Sequence, residues 1–555
     1  MGKMAGMDFD LLLDSLIQQC NAPEVSYIEK KYAKVLKLKS TPSKGEGVFA
    51  ERFLSVKDPI CALKYPTMMA IDSDFLPTTC YHCLALTASP LPLPNYGCEP
   101  INLRICNGCH LARFCNKDCQ LQAWMQFHKY ECKIFKRTQH NLLPAATRAV
   151  MRAVLLKDRD LMRNEEWNRI TRLTSHEHVL AARGRSNLTE MAEGIKHLAD
   201  SSMSIETIQR LIFIMRTNAT ELPTPIHGGI GVMLDPLMAR FNHNCEPNLA
   251  IHRPQHTMTS GWMDSVLLSE DDRQTFAQIV PLRDVNEGEE LLFCYVVPTA
   301  SVKDRRATLT ENYLFDCNCF KCLSDTADAA MLASEQSGLL ARFQQWSRDV
   351  KRNISRVSSD SHALRKAAAA MERSQQYLEY PVLYTTSDFP QMAMSLILEA
   401  LKTQAYDEAL INLLRLYFLV NPERFVGRHN STNIYTIFLI LAVFDAITGT
   451  PTASGVIDGK KDKRLHKSSN AGLSRAGLAY WRHRIRADLR KRLEGSAMND
   501  LSTLIQELEE HVQNLMAPEQ DTEGKELRVI AEQEMRAVLK LTESRWKIVL
   551  QRAGC

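Results

Sequence analysis

The chain has 555 residues, 45% hydrophobic and 24% charged, with a formal net charge of +4. That length exceeds one ordinary domain and implies two to four modules. The nearly balanced charge gives no general case for nucleic-acid binding, local basic patches aside. The most apolar run, Ile434 to Phe444, stops at Asp445, too short to span a bilayer and expected as a buried helix.

In chain order, the opening MGKMAGMDFDLLLDSLIQQC has acidic residues inside its apolar run and no cleavable signal pattern. Gly2 has no Ser or Thr at position 6, which argues against myristoylation. Residues 33 to 79 read as β-rich, with AKVLKLKS, the turn TPSKGEG, VFAERFL and PICALKYPTMMAI. A cysteine-dense segment runs from Cys80 to Cys132. Helical spacing follows to about 216, in ATRAVMRAVLLKDRDLMR and IETIQRLIFIMR. Strand and loop character returns from 217 to 297, with GVMLDPLMARFNHNCEPNLAI, TFAQIVPLRDV and GEELLFCYVV. After Cys322 the chain reads almost wholly helical, in pieces such as DEALINLLRLYFLV and DLSTLIQELEEHVQNLM. Such an array is repeat-like in the manner of tetratricopeptide proteins, without a clean 34-residue period. Residues 451 to 470 read as a loop whose KKDKR is either an import signal or, the plainer reading, a solvated charge run.

Of sixteen cysteines, nine fall in C-x2-C, C-x3-C or C-x-C-x2-C groups. Thiols this close converge on a metal more readily than they bridge, and with no export signal they are expected reduced and zinc-loaded, in nucleus and/or cytoplasm. The series Cys80/Cys83, Cys106/Cys109, Cys115/Cys119, His128/Cys132 supplies eight ligands, enough for two closed, structural zinc sites. His128 and Cys132, four apart, share a helical face. With CNKDCQLQAWMQFHKYEC and its Trp124, the pattern resembles the MYND zinc finger. That resemblance implies interleaved pairs: Cys80, Cys83, Cys115 and Cys119 on one ion, Cys106, Cys109, His128 and Cys132 on the other. It also implies proline-rich peptide partners. SPLPLP inside the finger is then a self-ligand or, as the plainer reading, a stiff loop, and Cys98 is a bystander.

Four further elements recur in one order: KGEGVFAERFL, whose glycines permit close backbone approach, RTNATEL, FNHNCEPN, and NEGEELLFCYV. Together they resemble a SET-domain methyltransferase. The inserted finger and the ending RRATLTENYLFDCNCFKC narrow the resemblance to the SET-and-MYND (SMYD) family of protein-lysine methyltransferases, over roughly residues 33 to 324. The implied fold is an α+β multidomain chain. Residues 33–79 and 217–297 form a split SET domain, 80–132 the finger, and 133–216 a helical insert. A post-SET zinc segment (298–324) and a TPR-like helical domain (325–555) follow.

The resemblance places Lys44, Gly45, Glu46, Gly47, Asn218, Asn242, His243, Tyr295 and Phe315 around S-adenosylmethionine. Tyr295 faces the methyl-transfer point and Tyr313 lines the lysine channel. Cys245 joins Cys317, Cys319 and Cys322 on a third structural zinc, so three ions are expected. Asn242 and His243 are expected to project away from that zinc, toward the adenosine half of the donor. Arg306, Leu309 and Tyr313 are expected on one helical face. Two positions depart from the pattern: Glu46 stands where Asn is frequent, and Asn244 replaces Ser.

The expected activity is S-adenosylmethionine-dependent lysine N-methylation of a protein or peptide, histone or non-histone, by a monomer without membrane or specific nucleic-acid partners. The competing reading is a catalytically weak or inactive adaptor that binds proteins through finger and tail, to which Glu46 alone points. A DNA-reading finger is disfavoured because MYND spacing lacks the recognition helix.

Overall fold

The turn TPSKGEG closes a hairpin between β1 (Leu36–Thr41) and β2 (Gly45–Ala50), paired from Leu36↔Ala50 to Thr41↔Gly45. Gly45 there has a φ of +75°, which glycine adopts without strain. The computed structural model describes most of residues 31–354, leaving out chiefly 87–101, 183–187, 223–228 and 253–275. It further describes 389–424, 431–448, 473–493, 522–539 and isolated residues between. The N-terminal run, SPLPLP with Cys98, the 451–470 loop and the amphipathic DLSTLIQELEEHVQNLM lie outside the described residues.

The chain divides into two compact units. The first comprises Met1–Thr87, Pro100–Tyr295 and Thr310–Phe315. It is built from small sheets. β3 (Cys61–Leu63) pairs with β11 (Ala277–Pro281), which pairs in turn with β10 (Leu249–His252), all antiparallel. β4 (Met68–Ile71) pairs with β8 (Gly231–Leu234), which carries β7 (Thr220–Glu221) on its other side. β5 (Arg104–Ile105) and β6 (Arg113–Phe114) make a short hairpin between the cysteine pairs.

The remaining pair positions the site. β9 (Asn242–His243) runs parallel to β12 (Leu292–Phe293). GEELLFCYVV, expected as a turn and then a strand carrying Tyr295, forms a strand only at Leu292–Phe293, with a single further bridge from Glu290 to Phe49. Its other backbone groups bond elsewhere. Ala50 N donates to Glu289 O, Leu291 N to Val48 O and Asn244 N to Phe293 O, while Tyr295 N donates to a side chain. The segment is thereby held between β2 on one side and the 242–244 strand on the other. Asn248 locks the arrangement: its amide donates to Glu290 O at 2.8 Å and its carbonyl oxygen accepts from Leu292 N at 2.8 Å.

The helix Ala145–Lys157 is the centre of this unit's core. It is apolar nearly all round, as a fully surrounded helix must be, and packs on β4 and on the helix Ile205–Asn218. Two arginines on it are buried. Arg148 donates to Ile71 O and Leu143 O. Arg152 donates to both carboxylate oxygens of Glu131 and to the Tyr81 hydroxyl, with its guanidinium 4.0 Å from the Phe127 ring centre. Glu131 and Tyr81 belong to the cysteine-dense segment, so one buried ion pair fastens that segment to the central helix. Removing one partner strands a desolvated charge. Glu131→Gln is therefore expected to cost about 3–5 kcal/mol, read as a lowered thermal midpoint. A midpoint equal to that of the unaltered protein contradicts the assignment.

The second unit comprises Ala88–Glu99, Val296–Leu309 and Asp316–Cys555, and its described elements are helical. The helices Phe389–Lys402, Tyr406–Arg415, Ser431–Thr448, Arg475–Leu493 and Thr522–Leu539 each pack on the next. Trp481, buried, donates its indole N–H to Ala531 O and meets the Phe418 ring edge-on at 5.3 Å. The apolar run at 434–444 lies within the helix Ser431–Thr448, with Leu439 to Phe444 buried. Among the described residues, no helix is long and apolar enough to cross a membrane.

Candidate functional site

The cysteine-dense segment forms two ligand clusters. Cys80, Cys83, Cys115 and Cys119 have their sulfurs within 4.8 Å of one another, and so do the ligand atoms of Cys106, Cys109, His128 and Cys132. A tetrahedral zinc with thiolates at about 2.3 Å separates its sulfurs by about 3.8 Å. The Cys106–Cys132 sulfurs lie 3.8 Å apart and the Cys83–Cys115 sulfurs 3.5 Å, while His128 Nε2 is 3.4 Å from Cys106 and 3.7 Å from Cys109. These distances suit one ion per cluster.

Local sequence explains the geometry. Gly108 leaves room where a Cβ would come within 2.7 Å of the Cys132 sulfur. Asn116 caps the helix Lys117–Ala123 by accepting from Cys119 N. A π-turn at Trp124–His128 then turns His128 inward, completely buried. The thiols also need a cation. Cys115 shares hydrogen bonds with Cys119, Cys80 and Cys83, which push its thiol up while pushing Cys80 down. Four thiolates cannot coexist at this spacing without positive charge among them.

In the second unit, Cys317, Cys319 and Cys322 bring their sulfurs within 4.8 Å of one another. Within 300–325, Arg305 places its guanidinium 3.6 Å from the Cys322 sulfur and pairs with Asp325 at 2.7 Å, and Arg306 donates to Cys317 O. Cations beside clustered thiolates favour their ionised, metal-binding form.

The other predicted residues gather around β9 and β12. Tyr295 donates its hydroxyl to Phe241 O and its ring lies 4.8 Å from that of Tyr313. The Tyr313 hydroxyl donates to Tyr295 O at 3.4 Å. Phe315 completes the aromatic wall, 5.9 Å from the His243 ring. Burial pushes the Tyr295 phenol above its ordinary range, helped by Tyr313 and by the Glu290 charge. Burial likewise lifts Tyr313 to about 12, with Glu221 and Cys294 contributing. Both tyrosines stay protonated at any physiological pH. The helix Val302–Thr308 gives way to a π-turn at Leu309–Tyr313. The wider turn breaks the straight i, i+3, i+7 face expected for Arg306, Leu309 and Tyr313.

On the polar side, Asn242 donates to Glu46 O at 3.0 Å and to Glu290 Oε1 at 2.9 Å, and Lys44 pairs with Glu290 Oε2 at 2.8 Å. Gly47 in β2 leaves room for these groups: a Cβ there would come within 2.7 Å of Asn242 Nδ2 and 2.8 Å of Glu290 Oε1, and both side chains would have to shift. The Glu46 side chain turns toward Arg240, 3.8 Å away, and it is the Glu46 backbone that serves Asn242. That side chain therefore supplies no argument for the adaptor reading.

One expectation needs revision. His243 does not project away from Cys245. Its Nδ1 accepts from Tyr295 N at 3.0 Å, which leaves Nε2–H facing the Cys245 sulfur at 3.3 Å. The buried ring is occupied at both nitrogens, because a residue two positions from Cys245 can bend back onto it. Asn218 ends the helix Ile205–Asn218 with its amide donating to Thr174 O, Ile214 O and Thr217 Oγ1, so its donors are already engaged. Glu290 and Arg240 were not singled out from the sequence. The only signal for Glu290 was a second acidic residue leading into an apolar run.

These features define a zinc-finger protein of mixed helix and strand, with cysteine and histidine clusters suited to zinc and a separate group of aromatic and polar side chains around β9 and β12. Residues 80–132 match the MYND finger. The chain is 25% identical over 291 residues to the SET domain and MYND-type zinc finger protein 6 of Schizosaccharomyces pombe, covering 51% of each. It is 25% identical over 241 residues to the histone-lysine N-methyltransferase SMYD3 of Homo sapiens, covering 42% of this chain and 51% of that protein. To the histone-lysine N-methyltransferase Smyd1 of Mus musculus it is 23% identical over 390 residues, 67% of this chain and 73% of the relative. The match thus spans about half the length of the first two relatives. The matched finger and these relatives together support the SET and MYND domain (SMYD) family.

Proposed function

We propose that the protein is an S-adenosylmethionine-dependent protein-lysine N-methyltransferase. The observation that supports this reading is the presence in one unit of two half-buried, protonated tyrosines in ring contact and the linked Lys44–Asn242–Glu290 group. The sulfonium donor, when bound, brings an already activated methyl group. The chain's own task is to orient and desolvate. The Tyr295–Tyr313 wall holds a lysine side chain in an apolar, narrow setting, where burial lowers an ammonium's pKa and favours the neutral amine. In-line approach is then a matter of position. Tyr295 keeps its proton, so it acts as a hydrogen-bond donor beside the Phe241 carbonyl and not as a base.

On this reading residues 33–79 and 217–297 are the split SET domain, 133–216 its helical insert, 298–324 the post-SET segment and 325–555 a TPR-like domain. The three cysteine clusters hold structural zinc, and the partners are protein substrates and proline-rich peptides. A reducing compartment, nucleus or cytoplasm, suits so many thiolates.

The test is a proteome extract incubated with the protein and isotopically labelled donor, followed by mass spectrometry. Label on lysine Nζ is expected, alongside calorimetric binding of S-adenosylhomocysteine. No label together with no binding at high micromolar ligand overturns the proposal.

A further inference from the structure

Among the polar side chains gathered around Asn242, charges alternate. Lys44 and Arg240 are cationic and Glu46 and Glu290 anionic; Lys44 pairs with Glu290 and Arg240 faces Glu46. Glu290 is the hub. One carboxylate oxygen takes the Lys44 ammonium at 2.8 Å, and the other takes the Asn242 amide at 2.9 Å. Because the second amide hydrogen of Asn242 goes to Glu46 O, both donors are spent and only the Asn242 carbonyl oxygen remains to meet a ligand. Lys44 and Glu290 are 246 residues apart, and the glycine at 47 gives up its side chain to let them and Asn242 converge. Side-chain exposures of 39% for Lys44 and 16% for Glu290 place the carboxylate on the inner, less screened end of the pair.

From this geometry we infer that Glu290 is a positioning and specificity residue: it orients Asn242 as an acceptor, and its charge, set against Lys44, makes this group prefer a cationic sulfonium over the neutral thioether left after methyl transfer. The inference rests on the methyltransferase reading and assigns to one residue the discrimination between donor and product. The electrostatic reach is supported by the same carboxylate helping to raise the phenol pKa of Tyr295. Removing Glu290 leaves Lys44 unbalanced and repels a cation. Removing Lys44 leaves Glu290 unbalanced and attracts one. The two substitutions must therefore move the preference in opposite directions, which a merely structural contact does not do.

The experiment is calorimetric titration of the full chain with S-adenosylmethionine and, separately, S-adenosylhomocysteine. Glu290→Gln is expected to lower the ratio of sulfonium to thioether affinity about threefold or more, and Lys44→Gln to raise it by a similar factor. The ratio is read at two salt concentrations, with both shifts shrinking at the higher one. Lys44 lies on an exposed turn, so Lys44→Gln keeps the test decisive if Glu290→Gln does not fold. Equal weakening of both ligands, or shifts of the same sign, overturns the inference and leaves the methyltransferase reading intact. Failure of the unaltered protein to bind either ligand overturns both.

Discussion

Tyr295→Phe is expected to lower the methyl-transfer rate about a hundredfold or more while leaving S-adenosylhomocysteine affinity within a few-fold of the unaltered protein. The ring stays, so its packing against Tyr313 at 4.8 Å stays. What disappears is one hydroxyl and its bond to Phe241 O. An orphaned buried carbonyl costs about 1–3 kcal/mol, a stability loss that a folded domain tolerates and a melting curve detects. The separation of rate from binding identifies a group acting at the reacting atoms. Full activity in the variant removes Tyr295 from that role.

The pH dependence carries the same logic. Because Tyr313 titrates at about 12 and Tyr295 is also pushed upward, neither phenol ionises as pH rises toward 10. The rate should therefore climb with pH as the substrate amine loses its proton, with no tyrosine-dependent limb. Stability moves the other way. A phenol raised in the folded state keeps its full contribution below the unfolded value near 10 and loses it between there and about 12. A rate profile that rises with a midpoint assignable to Tyr295 contradicts the donor role.

Zinc removal is the other large effect. Structural zinc contributes on the order of 10 kcal/mol to small finger folds. Here two ions would hold Cys80, Cys83, Cys115 and Cys119, and Cys106, Cys109, His128 and Cys132. Chelation, or Cys109→Ser, is expected to release metal in a colorimetric assay, expose 80–132 to protease and lower the thermal midpoint by ten degrees or more. The thiols left behind sit close enough to oxidise, so chelation in air should also produce disulfides. An unchanged midpoint after complete metal release rules out a structural role.

How much was visible beforehand follows from the range of each interaction. The finger's ligands were legible because each pair sits three or four residues apart, and local spacing survives in a one-dimensional string. Tyr295 and Tyr313 were singled out by the resemblance alone, and the fold places their rings in contact. Glu290 was not singled out, because its meaning lies in Lys44, 246 residues away, and Asn242, 48 residues away. His243 was aimed wrongly for a related reason: a two-residue interval lets a ring fold back toward its neighbour, and only the fold decides whether it does. The strand expected within GEELLFCYVV is confined to Leu292–Phe293 because its apolar pattern says nothing about where backbone groups bond: they bond to β2, Asn244 N, the Asn248 side chain and an imidazole.

The Arg152–Glu131 pair has a practical bearing on truncation studies. Excising residues 80–132 to ask whether the finger recruits partners also deletes the counter-charge of an arginine on the central helix, along with the Tyr81 and Phe127 surfaces that shelter it. A finger-less protein that loses function has then reported damage to the core of the first unit, not lost recruitment. Recruitment is better dissected at side chains that bear no such weight, such as the solvent-facing Leu121 and Met125. Those can be changed while the ion pair remains whole.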